Sequence, residues 1–195
     1  DGIEIRGLGD DIYAVNARPF TQSALPATKK KLASLKLEIP CLSSGCCLKF
    51  KEKEEETVRE IRSYIALAKE LGTPYIRILA DLEPNPTTEV DDAYIAKLLK
   101  QLGPEAKEGG TTLLVETNGV YADTARLAKL LEAVDHPSVM ALWDMHHPYR
   151  YMGESAKQTI ENIGRYIKYT HVKDSKMQDG SVAYKMMGEG DLPIK

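Results

Sequence analysis

The regular alternation of strand-like and helix-like segments constrains this chain more than any other feature. Ile3–Arg6, Leu37–Leu42, Tyr75–Ala80, Thr112–Glu116, Val139–Asp144 and Lys168–Val172 read as strands. Between them, Pro26–Ser34, Glu54–Leu71, Asp91–Gln101 (extending towards Lys107), Ala122–Val134 and Ser155–Tyr166 read as helices. In the longest, Val58, Ile61, Ile65 and Ala68 share one face and Gly72 ends the run. The tail from Ser181 reads as a loop or hairpin carrying GEGD. Strands separated by helices pair in parallel, because the helix carries the chain back to the same end of the sheet.

An open doubly wound sheet and a closed barrel both satisfy that pattern. The strand faces separate them. Strands covered on both sides are usually unbroken apolar runs. Here Ile3 and Ile5 alternate with Glu4 and Arg6, Ile76 and Ile78 flank Arg77, and Leu113 and Val115 oppose Leu114 and Glu116. Ala141 and Trp143 oppose Leu142 and Asp144, and Val172 sits between His171 and Lys173. One face stays apolar, while the other turns polar at the strand's C-terminal end. An α/β barrel of the (β/α)₈ type, whose interior opens into a site at that end, has this pattern. A dinucleotide-binding sheet would need a GxGxxG turn, which the sequence lacks. Six strands in 195 residues fall short of eight strands in about 250. The sequence therefore predicts one barrel domain over residues 1–195, lacking its first and last strands.

Hydrophobic residues make up 43% and charged residues 28%, the balance of an ordinary globular chain. A net charge of −3 offers no general attraction to nucleic acid or acidic membranes, and no apolar run is long enough to cross a bilayer. Three cysteines, Cys41, Cys46 and Cys47, lie in one segment in a spacing that fits neither a disulfide framework nor a zinc site. They read as buried free thiols of a reducing compartment. With no leader segment, the expected location is cytoplasmic.

The chemistry sits at strand ends. Glu116, Asp144 and His171 close three successive strands and would stand side by side around one rim. Each alone has an ordinary explanation as a helix cap, an ion-pair partner or a satisfied histidine. Together, two carboxylates and an imidazole suit one divalent ion: Mn, Mg, Co or Zn. His147, three residues after Asp144 in WDMHHP, is a further ligand or a hydrogen-bond donor to substrate.

GIEIRG, VETNG, WDMHHP, THVKDSK and GEGD, in that order, resemble the xylose-isomerase-like TIM barrels, a superfamily of sugar-phosphate isomerases, epimerases and apurinic endonucleases. The resemblance implies a sugar or sugar-phosphate isomerase or epimerase that abstracts a proton next to a carbonyl through an enediolate. It implies that Glu116, Asp144 and His171 hold the metal, with Glu116 also the general base. A second glutamate belongs to an eighth strand, and Glu189 of GEGD lies too early to replace it. By itself, this chain would be a poor catalyst. His147, Lys173, Arg77, Glu4 and Arg6 are expected to contact substrate. Where ketose 3-epimerases carry an arginine after the histidine, HVKDSK offers Lys173, Asp174 and Lys176.

Two other readings compete. A three-zinc endonuclease needs more histidines than the four present, and Val182-Ala183-Tyr184 stands where its Asp-x-His pair belongs. A non-catalytic barrel fragment would expose two sheet edges able to pair with another chain, giving a possible homo-oligomer. Lys51–Glu56 (KEKEEE) and Lys29–Lys31 read as solvated helix faces, and Tyr149–Tyr151 as a rim loop.

Overall fold

The structure is a computed structural model that describes residues 1–86 and 89–194. Five parallel strands form one sheet in chain order: β1 (Cys41–Cys47), β2 (Tyr75–Leu79), β3 (Thr112–Glu116), β4 (Val139–Asp144) and β5 (Ile167–His171). The helices α1 (Leu25–Leu35), α2 (Glu54–Leu71), α3 (Asp92–Glu108), α4 (Thr124–Val134), α5 (His146–Met152) and α6 (Ala156–Ile163) intervene. An antiparallel hairpin, β6 (Asp174–Gln178) and β7 (Ser181–Lys185), follows β5. This strand–helix succession is that of a TIM barrel.

Local chemistry sets the helix ends. Glu54, Glu55 and Glu56 occupy the first turn of α2, where carboxylates complement the helix dipole. Asp91, Asp123 and Ser155 cap α3, α4 and α6 by accepting backbone N–H bonds from Tyr94, Arg126 and Gln158. Gly72 closes α2 at φ 70°, a left-handed backbone that glycine adopts without strain. The apolar strand face then packs on these helices. Ile76, Ile78, Leu113, Val115 and Ala141 share a core with Ile61, Ile65, Leu98, Leu99, Leu127 and Leu131.

Register places the opposite face. Ser43 pairs with Arg77, Arg77 with Leu114, Glu116 with Leu142 and Asp144 with His171, so the polar residues gather at one end. Before β1, Gly2 and Ile5 make single parallel bridges to Glu38 and Leu42. Glu4 on that segment reaches His171 on β5, so the two outer edges of the sheet face each other across its interior.

Several boundaries differ from the sequence reading. The strand expected at Leu37–Leu42 begins at Cys41, because Lys36 takes a left-handed turn (φ 53°) and Pro40 has no N–H to donate to a ladder. Ser43, Ser44 and Gly45 masked its apolar character. Ile3–Arg6 is reduced to isolated bridges. The helix expected from Ala122 starts at Thr124 after a 3₁₀ turn, and Ser155–Tyr166 is α6 followed by another. Tyr149–Tyr151 lie in α5 rather than in a loop. The tail hairpin starts at Asp174, seven residues before the Ser181 expected, and turns on Asp179-Gly180, both at positive φ as a two-residue hairpin requires. Among the described residues no helix is long and apolar enough to cross a membrane.

Candidate metal centre at the strand ends

Each functional side chain is the last residue of a strand or lies just beyond it. Glu116 ends β3, Asp144 ends β4 and His171 ends β5. His147 enters from the first turn of α5. Donor atoms of Glu116, Asp144 and His147 all lie within 4.8 Å of one another, and all three residues are buried. His171 stands beside this group rather than within it, its Nδ1 lying 3.4 Å from Glu116 Oε1 and 4.0 Å from Asp144 Oδ2. The sequence reading put His171 in the ligand set and His147 at its margin; the geometry brings both to the same space.

Backbone and second partners hold these groups. The Thr117 hydroxyl donates to the Asp144 carbonyl at 3.1 Å and accepts from the Asp144 N–H at 2.9 Å, tying the ends of β3 and β4 together. His147 Nδ1 lies 3.0 Å from the Thr117 carbonyl oxygen. A carbonyl can only accept, so Nδ1 carries the proton. The lone pair is therefore on Nε2, which lies 3.8 Å from Asp144 Oδ2. Arg77, on β2, places Nε 3.3 Å from Glu116 Oε2 and donates from a terminal nitrogen to the Ser44 carbonyl. The Lys173 ammonium pairs with Asp144 Oδ2 and stands 3.4 Å from His147 Nε2.

Electrostatics follow from this packing. Burial pushes the Glu116 carboxyl up, but hydrogen bonding to His171 and the charge of Arg77 outweigh it, bringing its pKa to about 2. Burial lowers His171, while hydrogen bonds to Glu116 and Glu4, and their charges, raise it to about 9. For His147 burial dominates and the pKa falls, so its imidazole is neutral, as a ligand must be. Burial likewise brings His146 down to about 4; its Nε2 meets Ser175 Oγ at 2.9 Å. Lys173 is lowered by burial but raised on balance by Asp144.

The expected substrate contacts divide. Glu4, Arg77, His147 and Lys173 all reach the cluster. Arg6 is exposed instead, its carbonyl accepting from the Ala14 N–H. Asp174 serves the fold: its carboxylate accepts N–H bonds from Ser175, Gly188, Gly190 and Leu192, which anchors GEGD.

Sequence reasoning missed Asp81, just past β2. It is buried, pairs with Lys49 at 2.8 Å and accepts from the Val120 N–H. A Cβ on Gly119 would lie 2.2 Å from its Oδ2, which explains the glycine of VETNG. Asn118 of that motif donates to the carbonyls of Asp81, Leu82 and Glu83. An acid directly after a strand at the same rim was the available signal. A surface groove lies elsewhere, between α1 and α2, lined by Phe20, Leu25, Pro26 and Leu67 together with Gln22, Lys29 and Glu70.

Comparison with known proteins bears on this arrangement. A sequence model of the xylose isomerase-like TIM barrel family matches residues 1–195. The chain belongs to that family. No curated protein matches its sequence. Among solved structures, a xylose isomerase domain protein from Planctomyces limnophilus superposes with a TM-score of 0.78 at 17% identity, over 97% of this chain and 73% of that one. A xylose isomerase-like TIM barrel protein from Mycobacterium smegmatis in complex with magnesium gives 0.74 at 16% identity, over 98% and 70%. An L-ribulose 3-epimerase gives 0.71 at 18% identity, over 93% of this chain and 63% of the epimerase. At these identities the likeness is one of fold.

Proposed function

We propose that this is a metal-dependent enzyme acting on a sugar or sugar phosphate, isomerising or epimerising it by moving a proton next to a carbonyl. The observation that carries the proposal is the convergence of Glu116, Asp144, His147 and His171 donors at the C-terminal ends of parallel strands. Active sites in this fold lie at that end. The epimerase and the magnesium complex among its structural neighbours support the same reading.

The residues fit a divalent cation. Donors about 2.0–2.6 Å from one ion stand roughly 3–4 Å apart, the spacing of His171 Nδ1 from Glu116 Oε1 (3.4 Å) and Asp144 Oδ2 (4.0 Å) and of His147 Nε2 from Asp144 Oδ2 (3.8 Å). Glu116, Asp144 and His171 would hold it, with His147 as a fourth donor or a substrate contact. Oxygen and nitrogen donors accept Mn, Mg, Co or Zn. When bound, the ion supplies Lewis-acid stabilisation of the charge that develops on oxygen as the C–H bond breaks.

The protein's own groups divide the remaining work. Glu116 stays ionised across the physiological range and can accept the proton. Lys173 neutralises Asp144, and with a dication bound beside Asp144 its ammonium would be available to a substrate hydroxyl or phosphate. Arg77 keeps Glu116 aimed inwards. Burial of Glu116, Asp144 and His147 limits water around the reacting carbon.

The test is solvent exchange. Manganese- or magnesium-loaded protein is incubated in D₂O with a panel of ketoses, aldoses and their phosphates. Deuterium should enter the carbon next to the carbonyl of at least one sugar, and Glu116→Gln should abolish it. Conversion without deuterium incorporation, or undiminished incorporation by Glu116→Gln, contradicts the mechanism.

A further inference from the structure

The sequence reading puts Glu4 among the substrate contacts, but its geometry points to another task. Both its carboxylate oxygens face the same imidazole nitrogen, His171 Nε2, at 2.9 and 3.1 Å. The opposite nitrogen, Nδ1, faces the cluster, 3.4 Å from Glu116 Oε1 and 4.0 Å from Asp144 Oδ2. Glu4 is itself held. The Ser43 hydroxyl donates to Oε1, and the Ser43 N–H donates to the Ile5 carbonyl at 2.9 Å, so the two segments are locked in step.

An imidazole that gives a lone pair to a metal keeps one N–H, which needs an acceptor. Of the three carboxylates beside His171, Glu4 makes the shortest contact and the only doubled one, on the side away from Glu116 and Asp144. We infer that Glu4 is the positioning carboxylate that accepts the Nε2–H of His171 and so presents its Nδ1 lone pair to the metal. This rests on the metal reading above. It also gives the Gly2–Ile5 segment a purpose: it brings a partly buried orienting group from one edge of the sheet to a ligand on the other.

The test uses zinc, titrated against a chromophoric chelator, with wild-type, Glu4→Ala, Glu4→Gln and Ser43→Ala proteins. Orienting partners of metal-bound histidines are typically worth about 10- to 100-fold in affinity. Glu4→Ala should lose that much. Glu4→Gln keeps an acceptor and should lose less, and Ser43→Ala least. A long-range ¹H–¹⁵N spectrum of the zinc-loaded wild-type protein needs no variant. It should show His171 protonated at Nε2 and metal-bound through Nδ1. Zinc bound through Nε2, or equal affinity in Glu4→Ala and wild type, overturns the role of Glu4 and leaves the metal site standing. Wild-type protein that binds no zinc overturns both.

Discussion

Arg77 Nε lies 3.3 Å from Glu116 Oε2, a diagonal pairing across neighbouring strands in which Arg77 is in register with Leu114, two residues earlier. Both side chains are nearly buried, at 12% and 6% exposure. Removing one partner of a buried pair leaves an uncompensated charge, at a cost of about 3 kcal/mol or more. Because His171 still pairs with Glu116, Arg77→Met should lower unfolding stability by less than that, about 1–3 kcal/mol, in urea denaturation. Lys157→Met, at the exposed Lys157–Glu161 pair, should leave the midpoint nearly unmoved. Similar midpoints for both variants would show that the Arg77 contact is not a stabilising one.

The pH dependence of the metal-free protein follows from two shifts in opposite directions. His171 is raised from 6.5 to about 9, so its stabilising contribution is complete below 6.5 and is lost as the pH climbs through 9. Glu116 is lowered from 4.5 to about 2, so its contribution is complete above 4.5 and is lost as the pH falls towards 2. As far as these two groups decide it, metal-free stability should peak between 4.5 and 6.5 and decline towards 9.

Metal binding should follow the reverse course on the alkaline side. A His171 that is protonated at neutral pH must lose a proton to become a ligand. Affinity should rise about tenfold per pH unit up to the His171 pKa, with about one proton released per ion at pH 7. Calorimetry in buffers of different ionisation enthalpy measures that count. No proton release would mean that His171 is not a ligand.

The fold was legible because each strand carries its alternation openly: the exact span of β3, Thr112–Glu116, and that of β4, Val139–Asp144, follow from Leu/Val on one face and an acid closing the other. β1 was harder, because Cys41–Cys47 contains two serines and a glycine whose burial depends on contacts with Tyr75–Leu79 far along the chain. The acids and histidines at strand ends were visible for the same reason as the strands. What the sequence could not show was side-chain reach. Glu4 and His171 are 167 positions apart, and only sheet curvature brings them together. Arg6 shares the Glu4 segment and the same reading, yet it turns to solvent.

Asp174 gathers four backbone N–H groups of its own turn and the GEGD segment. Those bonds, together with burial that opposes them, leave its carboxyl below the usual range. Asp174→Ala should release residues 188–192. Amide hydrogen exchange there should accelerate strongly while exchange in β3 stays slow. Unchanged exchange at Gly188 and Gly190 would show that the segment is held by other contacts.

Cys41, Cys46 and Cys47 are buried without a disulfide, and desolvation raises all three thiols. A buried thiol held in its protonated form is a poor nucleophile. The native protein should react slowly with a disulfide reagent, and three thiols should titrate quickly once it is unfolded. Rapid reaction of any one of them in the native state would contradict the packing of β1.

One divalent ion should sit between the ends of β3, β4 and β5. Equilibrium dialysis against manganese or zinc, followed by elemental analysis, measures it directly. About one ion per chain is expected, from the one donor cluster among the described residues, with occupancy collapsing in Asp144→Asn and Glu116→Gln. No bound ion in the wild-type protein, or full occupancy in both variants, would contradict it.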